Sequence, residues 1–128
     1  MDFGKVEISL SAKINPSEDM AKVRKALSNI IAASYSFEGG MLKGYTQDIA
    51  ALTNIYEKIR AKHTLRVLRR LLLRGMDDDS SKILLNRQAA YAGSVVFCET
   101  EMEAPLGPLT LVVKADKIMS FIDWLAPR

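Results

Sequence analysis

Hydrophobic residues take every second position from Val6 to Ile14, with Lys5, Glu7, Ser9, Ser11 and Lys13 between them. A period of two predicts a strand with one face on a core and the other in water. The alternation stops at "NPSE", residues 15–18. Asn15 suits a helix N-cap, Pro16 a first helical position and Glu18 the third position of a capping box, so a helix is expected to begin here. Met20, Val23, Leu27 and Ile30 then recur at helical spacing, with Lys22 and Lys25 outside the stripe. "YSFEGGMLKGYT" places two short strand-like runs around Gly39 and Gly40, which predicts a hairpin.

The longest helical pattern covers about residues 48–74, with a break expected near 62–64. Gly75 is read as its stop, in the left-handed conformation that often closes a helix. "MDDDSS" is a polar turn, "KILLN" and "AGSVVFCE" are strands, and "APLGPLTLVVK" turns into a third. "ADKIMSFIDWLAPR" ends the pattern as a helix with Ile118, Phe121, Ile122 and Leu125 on one face. The resulting order, β-α-β-β-α(α)-β-β-β-α, predicts a single α+β domain over residues 1–128. Its architecture is a two-layer sandwich, a mainly antiparallel sheet covered on one face by helices.

Composition adds little until charge is located. Apolar runs such as "ILL", "SVVF" and "LTLVV" fall far short of the roughly 20 residues needed to span a bilayer, so no membrane partner is expected. "MDFGKVEISL" does not resemble a signal peptide, and the lone Cys98 excludes an internal disulfide; together these point to a cytosolic protein. Net charge is only +3, but residues 58–74 hold seven basic residues and no acid. The remainder has 18 − 7 = 11 basic residues against 15 acids, a balance of −4. The basicity is local.

On a helical wheel of about 3.6 residues per turn, Lys58, Lys62, Arg66, Arg69, Arg70 and Arg74 share one side. Leu65, Leu68, Leu71 and Leu72 occupy the other, with only Leu73 among the cations. A solvated face ordinarily mixes signs, because like charges at this spacing repel by a few tenths of a kcal/mol. An unmixed row suits a polyanion, and its phosphate contacts would make binding steeply salt-dependent. Neutralisation by Asp77–Asp79 or by Glu99, Glu101 and Glu103 is the competing reading.

"NRQAAYAG", residues 86–93, is expected to be a connecting loop. Asn86, Arg87, Gln88 and Tyr91 are its candidate contacts to base or ribose, against a purely structural role. Metal and catalytic readings fail. A calcium loop starting at Asp77 would need Gly at its sixth position and Glu at its twelfth, where Lys82 and Gln88 stand. His63 is the only histidine, and no phosphate-binding or nucleophile motif is present, so no cofactor and no enzymatic activity are expected. Trp124 is read as a core or interface anchor.

Taken together, "INPSEDMAKVRKAL", "LLLRG", "LLNRQAAYAG", "APLGPLTLVV" and "IDWLAPR" resemble uncharacterised protein family 0201 of the archaea, over nearly the whole chain. Relatives tend to read "RILD-A" where this chain has "KHTLRV", which removes an acid from the helix. The resemblance implies a fold similar to that of the large-subunit ribosomal protein that binds 5S rRNA. It also implies RNA as partner; the cationic face read from the wheel would then supply Lys62, Arg66, Arg69, Arg70 and Arg74 as phosphate contacts, with Arg87 and Tyr91 nearby. A scaffold subunit, a homodimer through a strand edge or the Trp124 region, is the alternative.

Overall fold

A computed structural model describes residues 2–61, 63–103 and 106–128. Strand β1 (Val6–Lys13) follows the predicted alternation, and Ile8, Leu10 and Ala12 are buried. Helix α1 (Met20–Ile30) starts later than expected. Its N-cap is Asp19, whose carboxylate accepts from the Ala21 N–H at 2.9 Å. Asn15 and Glu18 still exchange hydrogen bonds: the Asn15 N–H and Nδ2 donate to Glu18 Oε1 at 3.0 and 2.6 Å, and the Glu18 N–H donates back to the Asn15 carbonyl at 2.9 Å. That exchange closes a turn ahead of the helix. Asp19 therefore replaces Asn15 as the cap, since its carboxylate lies directly before the first helical turn.

Strands β2 (Tyr35–Glu38) and β3 (Met41–Thr46) form the predicted hairpin, and Gly39 and Gly40 have φ of 57° and 79°. Two consecutive left-handed residues give the turn that matches strand twist, and glycine takes that conformation without a Cβ clash. A short 3-10 turn (Ile49–Leu52) leads into α2 (Thr53–Ala61) and then α3 (Leu65–Arg74). The break falls where it was expected, with His63 at φ 56°. Gly75 is not left-handed; its φ is −85°. It is needed for space, because a Cβ there would stand 2.2 Å from the Lys82 carbonyl oxygen of the next strand.

Strand β4 (Ser80–Leu85) is followed by a helix, α4 (Arg87–Tyr91), where a loop was expected. Asn86 caps it, accepting from the Ala89 N–H at 2.9 Å. "AGSVVFCE" contributes only the two-residue strand β5 (Phe97–Cys98). Strand β6 (Leu109–Ala115) and helix α5 (Ile118–Leu125) complete the order.

All neighbouring strands pair antiparallel, in the order β2-β3-β1-β6-β4-β5. The first long strand and the last therefore lie side by side at the centre. The core forms between one sheet face (Ile8, Leu10, Leu42, Leu111, Val113) and helix residues Leu27, Ile30, Ile55, Ile59, Leu68, Leu72, Phe121 and Ile122, all at most 1% exposed. The fold class is the expected α+β sandwich with helices on one face. Outward-facing residues of β1, β3, β4 and β6 all keep solvent contact, so the second face is open. No helix among the described residues is long and apolar enough to cross a membrane.

Candidate nucleic-acid interface

The basic segment divides into cations spent on the fold and cations left at the surface. Lys58 donates from Nζ to the Gly93 carbonyl, joining α2 to the turn after α4. Arg60 spreads over the Tyr56 ring and donates to the Trp124 and Leu125 carbonyls at 3.2 Å each. Arg69 is only 9% exposed. Its Nη1 donates to Asp123 Oδ1 at 2.8 Å and to the Ala126 carbonyl at 3.0 Å. These donors satisfy carbonyls that the end of α5 leaves without helical partners. The wheel placed Arg69 in solvent because it describes an isolated helix. In the fold, α5 runs along that side.

Arg70 and Arg74 remain exposed but share one acid. Both reach Glu99 Oε1, at 2.5 and 3.3 Å. Hydrogen bonding from Arg70, reinforced by the two positive charges, holds the Glu99 carboxyl below the usual carboxylate range. One carboxylate against two guanidiniums leaves a cation in excess. Arg66 is exposed and has no acid partner among the described residues. Lys62 lies outside the described residues. Arg128, which the sequence did not single out, lines a shallow depression of about 520 Å³ with Arg66, Arg69, Arg70 and exposed Leu73. Its distance from the segment in the chain hid it. The competing expectation was therefore met in part, by Glu99.

Apart from the contact of Lys58 with Gly93, the "NRQAAYAG" residues lie elsewhere. Helix α4 packs on α1, whereas α3 packs on β4 and α5, so the two groups of candidates are not brought together. Arg87 is a correction: it is 5% exposed and unavailable as a surface contact. Its Nη1 donates to both Glu18 oxygens at 2.8 Å and to the Lys13 carbonyl at 2.9 Å, while Nε donates to the Gly107 carbonyl at 2.9 Å. Burial disfavours the ionised Glu18 carboxyl. Hydrogen bonds from Asn15 and Arg87 outweigh that effect and hold its pKa below the ordinary value. Asn86 is occupied as a cap. Tyr91 is 41% exposed and, with Gln88, Val23 and Leu106, walls a cleft of about 190 Å³. Lys25 Nζ stands 5.1 Å from the Tyr91 ring centre.

Trp124 stacks on Tyr56 at 5.1 Å between ring centres and meets Phe3 and Phe121 at 5.7 and 5.8 Å. It packs this aromatic cluster against the core and keeps partial solvent contact. Among the described residues, no group of three or more His, Cys, Asp or Glu is placed to hold a metal ion.

A family model described as RNA binding matches residues 7–115. The UPF0201 protein of Metallosphaera sedula is 34% identical over 125 residues, covering 94% of this chain and 87% of that protein. The chain belongs to the UPF0201 family. Another UPF0201 member, from Thermococcus kodakarensis, is 36% identical across 95% of this chain and 90% of its own length. The crystal structure of the Methanococcus jannaschii UPF0201 protein superposes with a TM-score of 0.81 at 31% identity, covering 95% of this chain and 93% of that one.

Proposed function

We propose that this UPF0201 member is a non-catalytic RNA-binding module, working in a ribosomal or RNA-processing setting in the cytoplasm. The family's description as RNA binding sets the class of partner. The observation that carries the reading is the surplus of exposed arginine on α3. Arg66, Arg70 and Arg74, with Arg128 beside them, face solvent against the single carboxylate of Glu99. Arginine's planar fork binds phosphate in two-point fashion, and a row along one helix tracks a backbone rather than one ligand. Arg69 and Arg87 are left out of this contact set, because the fold already uses their donors.

The test is fluorescence anisotropy with RNA co-purified from the native source, across a salt series. Reversing Arg66, Arg70 and Arg74 to Glu together lowers affinity at least about tenfold while circular dichroism stays unchanged. Single Arg→Ala changes at these positions flatten the log–log salt slope stepwise, by about 0.7 each on a single strand. A triple reversal that binds as tightly as the wild type removes the helix from the interface. If the wild type also binds no RNA, and light scattering shows a dimer through the free β2 edge, the scaffold reading takes over.

A further inference from the structure

The uncovered face of the sheet carries a second store of positive charge, assembled from residues scattered through the chain. Lys13, Lys43, Lys82 and Lys114 all point outward and are exposed. None has an acid partner among the described residues; the one ion pair on this face joins Lys5 to Glu7 at 3.8 Å. Counting strand positions and Lys5, five lysines stand against two acids, Glu7 and Glu38, an excess of +3, with Glu99 and Glu101 bordering the face only at Lys82. The register fixes the pattern. Ser36, Lys43, Ser11, Thr110 and Leu84 form one row across five strands, and Tyr45, Ser9, Val112 and Lys82 form the next. Hydroxyls lie at the centre, and Lys43 and Lys82 flank them three strands apart, about 14 Å.

Two chemistries of RNA can meet such a face. Sheets that read single strands present two or three aromatic rings for stacking, whereas this one presents Tyr45 alone, near one edge. A duplex in A-form instead offers a wide, shallow minor groove lined by 2′-hydroxyls and bounded by phosphates. Serine and threonine hydroxyls complement a 2′-hydroxyl as both donor and acceptor, and flanking lysines complement the phosphates. A second copy of this chain is the poorer occupant, since pairing two such faces would bring eight unpaired lysines together. We propose that the open sheet face docks the minor-groove side of a double-stranded RNA segment. This rests on the RNA-binding reading and deepens it by naming the form of RNA and a second surface, which meets the C-terminal end of α3 at Lys82, beside Arg74.

The experiment uses the full chain and three probes of one sequence: a 20-base-pair RNA duplex, its single strand and the matching DNA duplex. The RNA duplex is expected to bind at least about tenfold more tightly than either of the others. Lys43→Glu with Lys82→Glu lowers duplex affinity about thirtyfold or more with circular dichroism unchanged, and the corresponding pair of alanines reduces the salt slope by about 1.8. If the wild type binds neither RNA probe, this assignment and the RNA-binding reading fall together. If RNA is bound and the lysine reversals leave affinity intact, the sheet assignment falls alone. Equal affinity for RNA and DNA duplexes, or a preference for the single strand, overturns it equally. So does light scattering that shows a dimer abolished by the lysine reversals.

Discussion

Residues 58–74 and the outer sheet face are both cationic, yet they hold their charge in opposite ways. The segment concentrates its basic residues in sequence, and the fold then consumes Lys58, Arg60 and Arg69 on carbonyls and Asp123. The sheet gathers Lys13, Lys43, Lys82 and Lys114 from distant parts of the chain and leaves all four unpaired among the described residues. Residue type follows the division. Five of the seven cations in the segment are arginine, whose forked donors can satisfy two carbonyls at once, while those of the sheet are all lysine, a strongly hydrated point charge. Charge density along a chain is thus a poor measure of charge available to a partner. A helix wedged among other helix ends meets unsatisfied carbonyls; a strand's outward side chains meet only water.

The largest effect is expected at Arg87, a buried cation outside both regions that shows the tied state at its extreme. Arg87→Ala leaves Glu18 buried without its partner and the Lys13 and Gly107 carbonyls without donors. A loss of about 3–5 kcal/mol is expected, read from urea denaturation. The same pair gives an acid-side signature. Because the folded Glu18 pKa is depressed, its contribution is complete above the unfolded value of about 4.3 and disappears as pH falls through the folded value. The stability gap between wild type and Glu18→Gln is therefore expected to shrink from pH 7 to pH 3. A constant gap would remove the ion pair from the account.

Arg69→Ala is the next largest. It strands the buried Ala126 carbonyl and costs about 2 kcal/mol, with little added from Asp123, which is 59% exposed. Arg66→Ala, one turn away, stays within about 0.5 kcal/mol. Equal costs for these two arginines would erase the distinction between tied and free charge. The smallest effect sharpens the α3 side: Glu99→Gln frees Arg70 and Arg74 and is expected to raise RNA affinity a fewfold while leaving the urea midpoint in place.

Much of this arrangement was legible from local pattern. The alternation in β1, the Gly39–Gly40 hairpin, the break at His63 and the apolar stripe of α5 each depend on residues a few positions apart. The site was harder, because its decisive contacts are long-range. Arg87 meets Glu18 across 69 positions and the Lys13 carbonyl across 74, and Arg69 meets Asp123 across 54. A wheel or a motif holds no record of such neighbours. Helix α4 was hidden for the same reason: five residues are too few to show a period, and it is anchored by Asn29 of α1 donating to the Ala90 carbonyl at 2.9 Å. Conversely, the outer-face lysines were present in the alternation, but only pairing register shows that they share one surface.

The central place of β6 has a consequence for how the chain matures during synthesis. β2, β3 and β1 can zip together once residue 46 has emerged, as a three-stranded sheet with β3 in the middle and β1 open on the side that β6 later takes. β4, when it emerges later, finds no partner among the earlier strands and can pair only with the two residues of β5 before β6 arrives. Both halves wait for residues 109–115, which pair Ile8 with Val113 on one side and Ile83 with Leu111 on the other. The sheet is completed from its middle and last. Nascent chains halted before residue 109 should remain protease-sensitive at β4, and emergence of residues 109–115 should convert both halves to the resistant state in one step.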